Sequence, residues 1–208
     1  MNEMNDIHVV DDLLTKIEQR NIELAALYQI HSPILWVHSP YSTYSDTKIS
    51  EKFRANDPNI FPNDISSFSH TIYSDLHGTV NKSDFYSLFA RLPTAISKKF
   101  NVNVSKVLKM NIRLTTPDVS LKEYYGIPHV DFTEHPQGKT IIYYINDSDG
   151  DTILFNEMYK DKFDFSKKTV SQRVSPKRGR AVMFDMNRYH AATRSTVGPR
   201  AIININFI

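Results

Sequence analysis

The sequence has 208 residues and no cysteine, which excludes disulfide bonds, thiolate metal sites and cysteine nucleophiles. It also has no apolar run as long as a membrane-spanning helix, and its first residues lack the basic and apolar regions of a secretory signal. Excess charge is scarce as well: a net charge of +2 is too small to indicate a nucleic-acid partner. We therefore expect a soluble, cytoplasmic protein with no membrane partner, and with nucleic acid disfavoured as a partner.

What the chain does have is enough apolar material for a core. Hydrophobic residues make up 40% of the sequence and aromatic residues 12%, which is typical of a globular protein and not of a disordered one. The length suits one domain. We expect residues 1–208 to form a single domain, with helices and supporting strands in residues 1–104 and the functional core in residues 105–208.

The first half of the chain shows two helical patterns. Apolar residues recur at three- and four-residue steps over residues 9–30 and again over residues 83–100. Ser83 is a suitable N-cap for the second helix, and Pro93 should kink or split it. Residues 31–80, rich in Ser, Asn, Asp, Pro and Tyr, predict short strands and long loops.

The second half consists of short β-rich runs separated by turn residues. This texture favours a sandwich or barrel, so the predicted class is α+β, mainly β, with a C-terminal β-barrel or jelly roll buttressed by N-terminal helices. The predicted strands are 107–114, 129–132, 140–145, 152–155, 169–174, 180–184 and 200–207.

One short motif points to a metal. His129-Val130-Asp131 is the only His-x-Asp in the chain, and in a strand its two polar side chains would share a face. His190 could complete a set of two imidazoles and one carboxylate, which occupies one face of an octahedron and leaves three positions open, as suits Fe(II) oxygenases. Alone the motif is weak, since a His and an Asp on an exposed edge strand would look the same.

The last strand adds a second indication. Arg200 begins it, ten residues after His190. A guanidinium binds a carboxylate with two parallel hydrogen bonds, and a dicarboxylate that chelates iron through its keto-acid end would need such a partner for its distal carboxylate. Alternate residues of this strand form one polar and one apolar face; the polar face, with Asn204, would suit a pocket, although it could also simply face water. On other strands, Tyr144 could reach the same carboxylate, and Asn111 and Arg113 could line a substrate pocket.

Together these residues resemble the Fe(II)/2-oxoglutarate-dependent dioxygenase superfamily, in particular its prolyl-hydroxylase-like branch and relatives found in phage genomes. The likeness covers roughly residues 105–208. It is carried by the stretches 128–131, 142–146, 150–155 and 176–184, followed by His190 and Arg200.

The resemblance implies a double-stranded β-helix, a jelly roll related to the cupins. It implies that His129, Asp131 and His190 are the catalytic metal ligands for Fe(II). It also implies that Arg200 pairs with the 5-carboxylate of 2-oxoglutarate, with Tyr144 and Asn204 assisting. Dioxygen is then the remaining cosubstrate.

The implied function is hydroxylation of an unactivated carbon in a peptide or small-molecule substrate, with release of succinate and CO2; a peptidyl proline is one candidate. A nucleic-acid-directed oxygenase is a second hypothesis, disfavoured because no arginine follows Arg200 in the last strand as in the nucleic-acid-repair branch. A non-enzymatic jelly-roll module and a cupin-like metal enzyme that does not use 2-oxoglutarate are also compatible with the sequence.

A basic segment over residues 160–180 has two interpretations. Because aspartates interrupt it, a solvated loop between strands is favoured over a surface for an acidic substrate. Its basic residues are Lys160, Lys162, Lys167, Lys168, Arg173, Lys177, Arg178 and Arg180.

Overall fold

The computed structural model describes residues 7–28, 34–40, 47–62, 66–76, 78–159 and 168–208. The helices are α1 (Lys16–Glu23), which continues as a π-helix over Leu24–Tyr28, α2 (Thr47–Asn56), α3 (Tyr86–Phe89) and α4 (Leu92–Phe100), with a 3-10 turn at Val119–Leu121. The strands are β1 (His8–Val10), β2 (Val37–Ser39), β3 (Ser67–Leu76), β4 (Thr79–Lys82), β5 (Val107–Thr115), β6 (Lys139–Tyr144), β7 (Thr152–Met158), β8 (Val170–Val174), β9 (Ala181–Asp185), β10 (Arg188–Ala192) and β11 (Arg200–Phe207).

These strands form two antiparallel sheets. The larger sheet has the order β1-β9-β6-β11-β5-β3-β2, with β4 paired to β3, and the smaller has the order β10-β7-β8. Strands distant in sequence are therefore neighbours in space, as in a jelly roll. The mainly-β fold class is confirmed.

Strand alternation sorts the side chains of the larger sheet onto two faces, as predicted for β11. Ala201, Ile203, Ile205 and Phe207 join the largest apolar cluster, together with residues of the helices. On the opposite face, Ile202 packs with residues of both sheets, and Arg200, Asn204 and Asn206 line a cavity. The helices thus cover one face of the larger sheet and leave the other for a site.

The first predicted helix begins later than its apolar spacing suggested. Residues His8–Val10 pair with β9 as a strand, and Asp12 adopts a positive φ of 54°. Helix α1 starts after Thr15, which forms a capping box with Glu18. Local capping and the open edge of β9 outweigh the periodicity, so the prediction of a helix from residue 9 was wrong; residues 29 and 30 lie outside the described part.

The region between residues 31 and 80 contains strands, as predicted, but β3 is ten residues long and not short, and helix α2 was not predicted. The second predicted helix is split into α3 and α4, with Pro93 in the first turn of α4, where its missing N–H costs nothing. The predicted effect of Pro93 is therefore confirmed.

Two predictions near the His-x-Asp motif differ from the structure. Residues 129–132 form no strand; His129 makes only an isolated antiparallel bridge to His190. His190 lies within β10, a strand that was not predicted. Within the described residues, no helix has the length and apolarity to cross a membrane. The basic segment lies partly outside the described part, which omits 160–167.

Candidate metal centre and adjoining cavity

Three side chains converge at one point between the two sheets. His129, Asp131 and His190 each offer one ligand atom, and these atoms lie within 4.8 Å of one another. His129 reaches this place because its backbone exchanges two hydrogen bonds with His190, of 3.0 and 2.9 Å. The structure thus brings the predicted set together without the predicted strand.

The backbone sets the tautomer of both imidazoles. Nδ1 of His129 lies 3.0 Å from the carbonyl oxygen of Ile127, and Nδ1 of His190 lies 3.2 Å from that of Arg188. Because a carbonyl oxygen only accepts, each Nδ1 must carry the proton. In a neutral imidazole with this tautomer, Nε2 keeps its lone pair, which is the form that binds a metal ion.

Neutral donors hold the carboxylate of Asp131. Thr140 donates its hydroxyl to Oδ2 at 2.8 Å, and the amide of Asn206 donates to the same oxygen at 2.8 Å. The Asn204 amide lies 3.1 Å from Oδ2 and 3.3 Å from Oδ1. Oδ1 also faces Nε2 of His190 at 3.8 Å. The carboxylate is therefore oriented without being neutralised by a direct cation bond from these donors.

The surroundings favour the metal-binding protonation states of His129 and Asp131. Burial lowers the pKa of His129 to about 3, and the neighbouring His190 adds to this shift. For Asp131, burial raises the pKa, but the two histidines and the Asn204 and Asn206 amides together hold it below its ordinary value. A neutral imidazole and an ionised carboxylate, both required of ligands, therefore coexist at neutral pH.

Arg200 is buried deep in the same cavity, with 4% of its surface exposed. Its Nε donates to the Gly150 carbonyl oxygen at 2.7 Å, and its Nη2 donates to the Thr152 hydroxyl at 2.9 Å. Burial lowers its pKa, an effect that Tyr144 opposes. Both of these acceptors are neutral, so the guanidinium keeps its full positive charge for a bound anion.

Tyr144 lies behind Arg200. Its hydroxyl donates to Thr152 Oγ1 at 2.7 Å, and its ring centroid lies 5.8 Å from the Arg200 guanidinium carbon. Burial raises the pKa of Tyr144 to about 12, so the hydroxyl stays protonated. The structure places Tyr144 as a support for Thr152 and Arg200; its predicted contact with a bound carboxylate stays a prediction.

The remaining predicted residues line the same cavity. Asn111 and Arg113 extend into it from β5, opposite Asn204 and Ile202 of β11. The sequence did not predict the hydrogen bonds that Thr140 and Asn206 donate to Asp131, or those that Gly150 and Thr152 accept from Arg200. Alternation could have placed Thr140 and Asn206 on the polar faces of their strands, but not their bond partner.

Comparison with known proteins agrees with this geometry. Residues 120–208 match the family model of the 2OG-Fe(II) oxygenase superfamily. This matched stretch contains the three converging residues and Arg200. No curated protein sequence matches the chain.

Solved structures with the same fold include oxygenases of several kinds. A prolyl hydroxylase from Trichoplax adhaerens, solved with a hypoxia inducible factor peptide fragment, is 14% identical, with a TM-score of 0.54 over 98% of this chain and 84% of its own. The α-ketoglutarate-dependent epimerase SnoN of nogalamycin biosynthesis is 11% identical, with a TM-score of 0.59 over 98% and 78%. A viral collagen prolyl hydroxylase from Paramecium Bursaria Chlorella virus-1, in its 2OG complex, is 13% identical, with a TM-score of 0.51 over 99% and 98%.

Proposed function

We propose that this chain is a 2OG-Fe(II) oxygenase that hydroxylates an aliphatic carbon, with iron on His129, Asp131 and His190 and 2-oxoglutarate on Arg200; the match of residues 120–208 to the family model supports this. The observation that carries this proposal is the sharing of one cavity by the three converging ligands and a buried arginine. Arg200 precedes Asn204, which contacts Asp131, by four residues on β11, or about 13 Å of strand.

The donor set fits Fe(II). Two neutral imidazoles and one carboxylate form a set with open positions, of the kind that non-haem iron oxygenases use. When bound, iron and 2-oxoglutarate supply the oxidising chemistry: one oxygen atom of O2 enters the substrate as hydroxyl, and 2-oxoglutarate leaves as succinate and CO2. The protein contributes binding, orientation and the exclusion of water.

The polar side chains around Asp131 would preserve the geometry of the ligand set. Thr140, Asn204 and Asn206 donate hydrogen bonds to this carboxylate and limit its rotation. Such partners of a ligand commonly affect metal affinity by 10- to 100-fold. We therefore assign Asn204 primarily to orienting Asp131, where the sequence had suggested contact with the cosubstrate.

Arg200 would bind the distal carboxylate of 2-oxoglutarate. Gly150 and Thr152 engage its Nε and Nη2, which fixes the plane of the fork and directs its remaining N–H groups. A buried cation that meets a carboxylate in a cavity interacts more strongly than the same pair in water. Arg200 thus acts by binding and orientation, and no proton moves through it.

Apolar side chains form part of the cavity wall. They would keep bulk water from the reacting centre and provide contact area for a substrate. These residues are Phe61, Ile127, Phe132, Ile142, Ala191 and Ile202. Because a prolyl hydroxylase of this fold was solved with a bound peptide fragment, a peptidyl proline is the first substrate to try.

The direct test is an anaerobic absorption titration with Fe(II) and then 2-oxoglutarate. The wild-type protein should develop a visible iron-to-keto-acid charge-transfer band. Asp131→Ala should abolish the band because a ligand is lost. Arg200→Gln should raise the 2-oxoglutarate Kd by about 30-fold or more, since losing one partner of a buried charge pair costs at least ~2 kcal/mol.

Arg91→Gln is the matched control, because the Arg91 side chain is 81% exposed on the far side of the sheet, where it pairs with Glu18. It should leave the band and both affinities unchanged. A folded wild-type protein that binds iron without developing the band would favour a metal enzyme that does not use 2-oxoglutarate. A folded protein that binds no iron would contradict the proposal altogether.

A further inference from the structure

The cavity carries more positive charge than iron and 2-oxoglutarate require. Among the described residues that line it, four are cationic and one, Asp131, is acidic. Iron(II) and the 2-oxoglutarate dianion cancel each other, so the residues lining the loaded cavity would keep a net charge of +3, while the charges of Asp118 and Asp151 act on Arg194 and Arg200 from outside the lining. The cationic residues are Lys109, Arg113, Arg194 and Arg200.

Arg113 lies one strand away from the 2-oxoglutarate site. It stands on β5 directly opposite Ile202 of β11 and Ser69 of β3, so it is a diagonal neighbour of Arg200. It is partly buried, and burial lowers its pKa while the charge of Asp131 opposes that shift. The Arg113 guanidinium therefore lies near Asp131 and on the β5 side of β11, whereas β6 borders β11 on its other side.

Arg194 is more deeply buried, with 8% of its surface exposed. Its Nη1 donates to the Ser66 carbonyl oxygen at 3.3 Å and its Nη2 to the Thr116 hydroxyl at 2.8 Å, which fixes the guanidinium from two directions. Its Nε is buried and donates to no atom of the described residues. A buried charged donor without an acceptor costs free energy that a bound anion would offset.

Further polar atoms on the same side of the cavity have no hydrogen-bond partner among the residues that the structure describes. The Ser67 hydroxyl and the Asn111 side-chain oxygen are buried and make no hydrogen bond within the described part of the chain. Both residues line the cavity: Asn111 precedes Arg113 by two positions on β5, and Ser67 follows Ser66, whose carbonyl oxygen accepts a hydrogen bond from Arg194. Clustered buried polar groups of this kind are typical of a site that a polar ligand completes.

We propose that the primary substrate carries an anionic group, a carboxylate or a phosphate, which Arg113 and Arg194 bind while Arg200 holds 2-oxoglutarate. The inference rests on the proposed function of this cavity. A single terminal group fits better than a nucleic-acid backbone, because Arg194 is too deeply buried for a row of phosphates to reach it. The oxidised carbon then belongs to an acidic small molecule or to a peptide with an acidic group near that carbon.

The test uses the whole protein loaded with Mn(II) in place of iron and with saturating 2-oxoglutarate. Inorganic phosphate, 13C-acetate and the neutral 13C-acetamide are the probes, and the paramagnetic acceleration of their 31P or 13C relaxation is measured against probe concentration. We expect a saturable effect for at least one anion and none for acetamide. Arg113→Gln and Arg194→Gln should each weaken anion binding at least tenfold, and Arg113→Lys should recover most of it because the charge returns.

Electron paramagnetic resonance and calorimetry measure the Mn(II) and 2-oxoglutarate affinities of every variant. These affinities distinguish a failure of the anionic-substrate inference from a failure of the proposed oxygenase function. They should stay within about twofold of wild type, as a role in anion binding alone requires, and the exposed-arginine control Arg91→Gln should match wild type throughout.

Wild-type protein that holds Mn(II) and 2-oxoglutarate but shows no saturable effect with either anion would overturn the inference. So would unchanged anion binding in both glutamine variants, or a loss of 2-oxoglutarate affinity in Arg113→Gln as large as in Arg200→Gln. Failure of wild type to bind Mn(II) or 2-oxoglutarate would instead contradict the proposed function. The anion that binds more tightly identifies the acidic group.

Discussion

Asp131 shows how single side chains determine what this cavity can do. Its donors Thr140, Asn204 and Asn206 are all neutral, so they orient the carboxylate and leave its full negative charge for a metal ion. Of the arginines that line the cavity, Arg113 lies on β5, Arg200 lies on the adjacent β11, and Arg194 follows β10. Within one cavity, neutral side chains thus orient the metal-ligand carboxylate, while separate arginines are available to bind acidic groups.

Gly150 is a second residue whose identity matters through contact. A Cβ at this position would lie 2.9 Å from Arg200 Cδ, 2.9 Å from the Ser195 amide nitrogen and 3.0 Å from the Thr193 carbonyl oxygen. Two of these neighbours are backbone atoms, so the backbone at Ser195 as well as the side chain of Arg200 would have to shift. The single glycine of this turn is therefore required for the position of the guanidinium.

Gly150→Ala should weaken 2-oxoglutarate binding by about tenfold or more while leaving iron binding unchanged, because Arg200 would lose its bond to the residue-150 carbonyl. Overpacking should also lower the free energy of unfolding by about 1–3 kcal/mol. Anaerobic titration and thermal unfolding measure the two effects. Gly126→Ala is the control, since its Cβ would meet its nearest atoms at an ordinary 3.6 Å; equal 2-oxoglutarate affinities in the two variants would refute the steric argument.

At the scale of the elements, the chain before α1 is attached to the sheet by charge as well as by strand pairing. β1 pairs with β9, and Asp11, the next residue, accepts hydrogen bonds from Arg180 Nε at 2.7 Å and Lys177 Nζ at 3.0 Å. Arg180 and then Lys177 hold the pKa of Asp11 at about 2, below its ordinary 3.8. This ion-pair cluster anchors the segment that leads into the first helix.

The Asp11 cluster predicts a pH dependence of stability. Because the folded-state pKa is lowered, its contribution is fully present above about pH 4 and is lost as the pH falls toward 2. The carboxylate is partly exposed, so we expect this contribution to be only about 0.5–1 kcal/mol. Asp11→Asn should lower the free energy of unfolding at pH 7 by this amount and have a flatter profile between pH 4 and 2, measured by urea denaturation.

Lys98→Gln is a matched control for this experiment, because Lys98 is exposed on α4 and pairs with no carboxylate of the described residues. It should leave the pH profile over this range closer to that of wild type. If Asp11→Asn and wild type lose stability in parallel between pH 4 and 2, the cluster does not anchor β1 in solution.

For the whole molecule, the N-terminal half completes the core of the C-terminal half. Ile22, Phe89, Leu92 and Ile96 are fully buried against the larger sheet. β3 pairs with β5 along most of its length. Residues before and after position 105 therefore share one core and one sheet, although the family model matches only residues 120–208.

A fragment of residues 105–208 should consequently fail to fold alone. Burial of four large apolar side chains contributes about 6–12 kcal/mol, which is comparable to the total stability of a domain. We expect the fragment to bind the dye ANS and to lack near-UV circular dichroism and a cooperative thermal transition, unlike the full chain. A fragment that melts cooperatively and binds Fe(II) and 2-oxoglutarate would show instead that residues 1–104 are an addition to an independent domain.

The sequence by itself determined the class of this protein. The short β-rich runs between turn residues predict the mainly-β fold, and the His-x-Asp motif, His190 and the arginine ten residues after it predict the candidate ligands, all without coordinates. Asn111 and Arg113 were also predicted to line a substrate pocket, because they lie on the strand just before the His-x-Asp motif. Such patterns are readable because strand geometry fixes which neighbours share a face.

Only the tertiary structure decided how these residues act on one another. The bond between Asn206 and Asp131 joins residues 75 apart in sequence, and that between Arg200 and Gly150 joins residues 50 apart. Likewise His8–Val10 form a strand because they pair with the distant β9, and His190 lies in a strand defined by its partner β7. Contacts across sheets depend on register and packing between distant segments, which local periodicity does not encode.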